Sequence, residues 1–140
     1  MYLDASETNG RRFVQRGITG PVTMLNLLRF RETANYSGHP DLAPPNPISG
    51  RLAYDRYIEH TLPFLTDAGG SVLYSGDGGH LLIGPEEQRW DMAFLVRHAS
   101  VEAFLAMASN EDYLAGIGHR IAALEDSRLL PLEDLPSLTG

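Results

Sequence analysis

The chain has 140 residues, enough for one domain that buries about two-thirds of its unfolded surface. Eighteen acidic residues against eleven basic ones leave a formal charge of −7, which repels phosphate backbones and anionic lipid, so neither nucleic acid nor a membrane is an expected partner. All eleven basic residues are arginine and cysteine is absent, which excludes Schiff-base and phosphate-loop lysines, disulfides, thiol catalysis and thiolate metal sites.

The opening MYLDASETNGRR has no apolar run behind a basic start and does not read as a secretory signal. No later stretch is apolar for long enough to span a bilayer, so a cytoplasmic protein is the expectation. Asp4 as N-cap, Glu7 three residues on and Gly17 as a stop predict a short helix over 4–16. PVTMLNLLRF, residues 21–30, is a strand on which the rest is organised. Val22, Met24, Asn26, Leu28 and Phe30 alternate with Thr23, Leu25, Leu27 and Arg29, and both sets are mostly apolar. Such a strand needs cover on both sides. Residues 31–50 hold four prolines and little periodicity, as a lid, an arm or a disordered connection would.

Residues 51–68 are helical by the recurrence of Tyr54, Ile58, Thr61 or Leu62, and Leu65, with Pro63 predicting a kink or an early end and Gly69-Gly70 closing the segment. SVLYSGDGGHLLIG, residues 71–84, is a strand interrupted at Asp77-Gly78-Gly79 by a bulge or a turn. WDMAFLVRH, residues 90–98, is a strand with Trp90, Met92, Phe94 and Val96 on one face. Ser100 caps a helix, Ser109 with Asp112 starts another, and Tyr113, Ile117, Ile121 and Leu124 form its stripe. Ser127 to Leu132 is the last strand, and the tail 133–140 has no strong pattern.

The order is strand, helix, strand, strand, helix, strand, behind an extra N-terminal helix. It predicts an α+β domain of the ferredoxin-like, split βαβ kind, an antiparallel sheet with helices on one face. The bare face would cover roughly 400 Å², near the limit for a monomer. Burying it contributes on the order of 10 kcal/mol at ~25 cal/mol/Å², before association costs. A homodimer packed sheet against sheet is the expected assembly.

MLNLLRF, YDRYIEH with Pro63 and Gly69-Gly70, WDMAFLVRHAS, FLAM with Tyr113, and HRIAALEDSRLL together resemble the domain of unknown function 1330 family, over about residues 20–130. The resemblance implies a dimeric α/β barrel of two ferredoxin-like protomers. The broader superfamily is similar to antibiotic-biosynthesis monooxygenases, muconolactone isomerases and haem-degrading oxygenases.

The expected pocket lies between sheet and helices. His60 follows Tyr57 by one turn, and an imidazole beside a phenol can take up and return a proton, so this pair is the candidate catalytic set. The bland alternative for His60 is a hydrogen bond at the helix surface. Asn26 is polar in an apolar strand and can polarise a carbonyl, or bond to backbone. Arg29 can clamp a carboxylate, or pair with Asp91 or another acid. Tyr54 and Trp90 complete the candidate binding residues, with core packing as the commoner role for a tryptophan. His39, His60, His80, His98 and His119 contain no i,i+4 pair, so no metal site and no cofactor is expected. Gly76-Asp77-Gly78-Gly79 reads as a turn and not a phosphate loop, and His119-Arg120 either reaches a pocket or, as the commoner case, lies on a solvated helix face. The expected function is homodimeric binding of a small organic carbonyl or carboxylate molecule. Cofactor-independent proton transfer or oxygenation is its enzymatic form. The alternative is a non-catalytic dimerisation or ligand-sensing module.

Overall fold

The structure, a computed structural model, describes residues 1–136; the last four residues of the expected tail lie outside the described residues. Its elements are α1 (Glu7–Gln15), β1 (Val22–Phe30), α2 (Gly50–Asp67), β2 (Ser71–His80), β3 (Arg89–His98), α3 (Val101–Ala108), α4 (Glu111–Leu114), α5 (Ile117–Ala123) and β4 (Leu124–Leu132). The four strands form one antiparallel sheet in the order β2-β3-β1-β4, with β1 central as its two apolar faces require. This is the ferredoxin-like fold.

Alternation along β1 sorts the sheet. Val22, Met24, Leu28 and Phe30 are buried on the helix side. Leu28 and Phe30 pack with Ala53 and Tyr54 of α2 and with Ala123 and Leu124, while Met92 and Phe94 flank this cluster. Val22 and Met24 form a second cluster with Ile18 and Val101, flanked by Phe13 of α1 and Phe104 of α3, whose rings meet edge to face at 5.9 Å. The opposite side carries Leu25 and Leu27, paired with Leu95 and Ala93, and Leu130 beyond Leu25. On that side Leu25, Leu27, Ala93 and Leu95 are half-buried, and Leu130 is 52% exposed.

Several boundaries differ from the expectations. Ser6, not Asp4, caps α1 by accepting the Asn9 N–H, because the Asp4 carboxylate is engaged with the Ala5 N–H. Gly17 does end the turn, at φ 61. The α2 helix starts one residue early under a Ser49 cap and runs through Pro63 to Asp67. Asp77-Gly78-Gly79 is neither a turn nor a bulge: β2 continues unbroken, with Asp77 opposite Met92 and Gly79 opposite Trp90, and the register shift falls between Val72 and Tyr74. A Cβ on Gly78 would meet the Trp90 carbonyl at 2.2 Å, so this glycine serves close strand approach.

Asn110, not Ser109, caps α4, taking the Asp112 and Tyr113 N–H groups on its side-chain oxygen. The predicted stripe from Tyr113 to Leu124 is divided by Gly116, and β4 begins at Leu124, three residues before the expected start. The proline-rich connection is an ordered strap. Arg31 and Asn35 donate to the carbonyls of Ala123 and Ala122, Thr33 bridges Ser49, and Ala34, Tyr36 and Ile48 pack on the core. Among the described residues, no helix is long and apolar enough to cross a membrane.

Candidate functional site

A cleft of about 1480 Å³ runs between the helix side of the sheet and the helices. Alternation on β1 and β3 brings Met24, Asn26, Phe94, Val96 and His98 to its floor. Tyr54 and Tyr57 enter from α2, three residues apart on one helix face. Tyr113 comes from α4 and Arg120 from α5.

These groups form a donor-rich cluster. The Tyr57 and Tyr113 hydroxyls are 2.7 Å apart, and the Tyr54 and Tyr57 ring centroids 5.2 Å apart. Arg120 donates to the Leu3 carbonyl and, at 3.3 Å, to Ser127 Oγ, and its positive charge acts on the Tyr54 hydroxyl. Burial pushes the Tyr54 phenol well up from its ordinary value, with the neighbouring Tyr57 adding to the shift and Arg120 opposing it. Burial likewise raises Tyr113, assisted by the charge and the hydrogen bond of Tyr57. Both therefore stay protonated near neutrality and present O–H groups. Three phenols and a guanidinium are suited to an oxygen carrying negative or partial negative charge.

Asn26 lies on the cleft floor, and its Nδ2 donates to the Met24 carbonyl at 3.3 Å, the backbone bond that its bland alternative expects. The structure thus brings Asn26, Tyr54 and Tyr57 together. It does not bring His60, Trp90 or Arg29 to them. His60 does not line the cleft, where the expectation set it as the partner of Tyr57. Its Nε2 lies 2.9 Å and 3.1 Å from the carbonyl oxygens of Asp112 and Tyr113, so that nitrogen carries a proton and ties α2 to α4. Tyr57 and His60 are three residues apart, yet one faces the cleft and the other faces the helix seam beside Phe64, at 5.3 Å between rings.

Trp90 is 6% exposed but outside the cleft, its indole against the guanidinium groups of Arg29 and Arg128 at 5.3 and 5.0 Å. Arg29 pairs with Asp126 at 3.2 Å and Glu125 at 3.4 Å, and so takes the structural role. Its expected partner Asp91 pairs instead with Arg89 and accepts the Phe30 N–H.

Tyr113, Arg120 and His98 are site residues the sequence reading did not select. Arg120 corrects the expected solvated face: it lines the cleft. Its neighbour His119 bonds the Tyr36 hydroxyl through Nδ1 at 2.7 Å, under the strap. Burial lowers the His119 imidazole, with Arg56 and His60 adding to the effect. Burial alone lowers His98, which is 4% exposed, and its Nδ1 has no hydrogen-bond partner. Among the described residues, no three His, Asp or Glu side chains converge on a metal site.

The chain is similar to solved structures over nearly its whole length. The RPA0582 protein of Rhodopseudomonas palustris, of unknown function, is 34% identical, with 96% of this chain and 97% of that one covered at a TM-score of 0.80. A structure of methylated RPA0582 gives 33% identity, 96% and 95% coverage and a TM-score of 0.83. No family model matches the chain, and neither does any curated protein.

Proposed function

Because the chain belongs to the family of the Rhodopseudomonas palustris RPA0582 protein, itself of unknown function, we propose a role from the cleft: a homodimeric α/β-barrel protein that binds a small organic carbonyl or carboxylate compound. The observation that carries this reading is the convergence of Tyr54, Tyr57, Tyr113 and Arg120 on one cavity wall opposite Asn26. Two phenols held protonated beside a guanidinium form an environment that favours an anionic or carbonyl oxygen over a cation. The rest of the cavity is largely apolar, as small-molecule sites are.

The second copy belongs to the same reading. Leu25, Leu27, Ala93, Leu95 and Leu130 share one partly exposed apolar face of the sheet, and a second sheet is the partner of matching shape. The series of stretches resembling the domain of unknown function 1330 family supports the same pairing.

His60's position favours the binding or sensing form of this function over an enzyme using that histidine. With Nε2 donating to two carbonyls, His60 lies outside the cavity in which a substrate would sit. Calorimetric titration with dodecanoate and with dodecylammonium tests the reading. Measurable binding of the acid and at least tenfold weaker binding of the amine is the expected result; equal or stronger binding of the amine removes it.

A further inference from the structure

The far end of the cleft holds a polar group the function above does not use. His98 stands opposite Val22 in the sheet, and Phe94 opposite Asn26, so the two polar stations are four residues apart along the strands. At ~3.3 Å per strand residue that is about 13 Å. Between them the wall is mostly apolar, with Met24 and Val96 from the sheet, Phe13 from α1 and Phe104 and Leu105 from α3, and one cation, Arg16, borders it where its guanidinium donates to the Pro131 carbonyl opposite Met24. The His98 ring stands edge-on to Phe104 at 4.9 Å.

His98 lines this end of the cavity at 4% exposure, and Nδ1 is buried without a hydrogen-bond partner. A buried acceptor or donor left unpaired is destabilising, and native structures carry few of them without a reason. Burial also keeps this imidazole neutral at ordinary pH, so one ring nitrogen is an acceptor. Because His98 lines the cavity, a ligand hydroxyl that reaches the ring can donate to that acceptor.

We propose that His98 is a second polar anchor of the cleft. The ligand is then an elongated molecule with an apolar body, a carbonyl or carboxylate at the tyrosine–Arg120 end and a hydroxyl at the His98 end. This rests on the cleft-binding reading and adds the ligand's length and its second polar group. Asn26 and the tyrosines hold the charged or carbonyl head, the stretch from Met24 to Phe104 covers the body, and His98 accepts the terminal O–H.

Calorimetry with dodecanoate and ω-hydroxydodecanoate separates the two layers. Wild-type protein is expected to bind the hydroxy acid about fivefold more tightly, the worth of one net hydrogen bond near 1 kcal/mol. His98→Phe should abolish that preference while still binding dodecanoate, and His98→Gln, which keeps an acceptor, should retain part of it. Long-range ¹H–¹⁵N spectra of the wild-type imidazoles supply a readout independent of any variant's folding: the His98 ring nitrogens should shift with the hydroxy acid and stay in place with dodecanoate. Equal affinity for the two acids, or unmoved His98 nitrogens, overturns the His98 anchor and leaves the cleft reading intact. Failure of both acids to bind overturns both.

Discussion

The Tyr57 and Tyr113 hydroxyls meet at 2.7 Å, joining α2 to α4 across the cleft wall. Only one of the two can donate in that bond, so the other keeps its O–H for a different acceptor. The pair is thus both a tether between helices and a donor facing the cavity. Removing either hydroxyl has two separable effects. Tyr113→Phe and Tyr57→Phe are each expected to cost about 1 kcal/mol in urea denaturation. The double variant should cost less than their sum, because the shared bond is lost once. In the same proteins dodecanoate binding should weaken about three- to tenfold, the range of one hydrogen bond. A strictly additive double variant would show that the two hydroxyls act independently.

Stability should fall on mild acidification. His98 and His119 both have folded-state pKa values below the ordinary 6.5, His98 through burial, His119 through burial together with Arg56 and His60. A lowered imidazole means the unfolded chain binds more protons below 6.5 than the folded one. The stability contribution is therefore fully present above that value and is lost as pH falls through the folded pKa values. Urea midpoints taken from pH 7.5 to 5 should drop, and His98→Phe should flatten part of the slope. A profile that is unchanged in His98→Phe would assign the slope to other groups.

Gly116 stands where α4 passes into α5, and a Cβ there would lie 2.2 Å from His60 Cδ2. The glycine makes room for the imidazole that holds the Asp112 and Tyr113 carbonyls. Gly116→Ala is therefore expected to push His60 off this seam and to destabilise by about 1–3 kcal/mol. His60→Ala, which removes the obstacle, should largely relieve the added cost in the double variant, a coupling that thermal denaturation can measure.

A charge on the open sheet face should separate the copies. Leu95→Asp lies in the middle of that face, on the side of the strand away from the core. Sedimentation velocity is expected to give twice the 15.4 kDa chain mass for the wild type and the single mass for Leu95→Asp, with helical content retained. A wild type that stays single at tens of micromolar would remove the paired assembly.

Much of this architecture is written in residue patterns. Val22 to Phe30 reads as a two-sided strand because its alternation places apolar groups on both faces, and β1 does occupy the centre of the sheet. Ser100 is a legible cap because a hydroxyl ahead of an apolar periodic run has few other uses there. The Asp77-Gly78-Gly79 stretch misleads because glycine suits both a turn and a strand pressed against its neighbour. Only the pairing with Trp90 distinguishes them.

The site is less legible for a related reason. Helical spacing places Tyr57 and His60 near one another on α2, but α4 packs into the angle between them, so Tyr57 joins Tyr113's hydroxyl and His60 its carbonyl. Arg120 reads as solvated because its partner, the Leu3 carbonyl, is remote in the chain. His98 offered one weak signal: its register on the same face as Met92, Phe94 and Val96.

Methionine methyl spectra test the account's central claim, that the ligand site is the cleft between sheet and helices. Met24, Met92 and Met107 line that cavity, while Met1 is 72% exposed outside it. With ¹³C-methyl methionine and increasing dodecanoate, the Met24, Met92 and Met107 signals should move together along one binding curve while Met1 stays fixed. Binding seen by calorimetry with those three signals unmoved would place the ligand elsewhere and contradict the account.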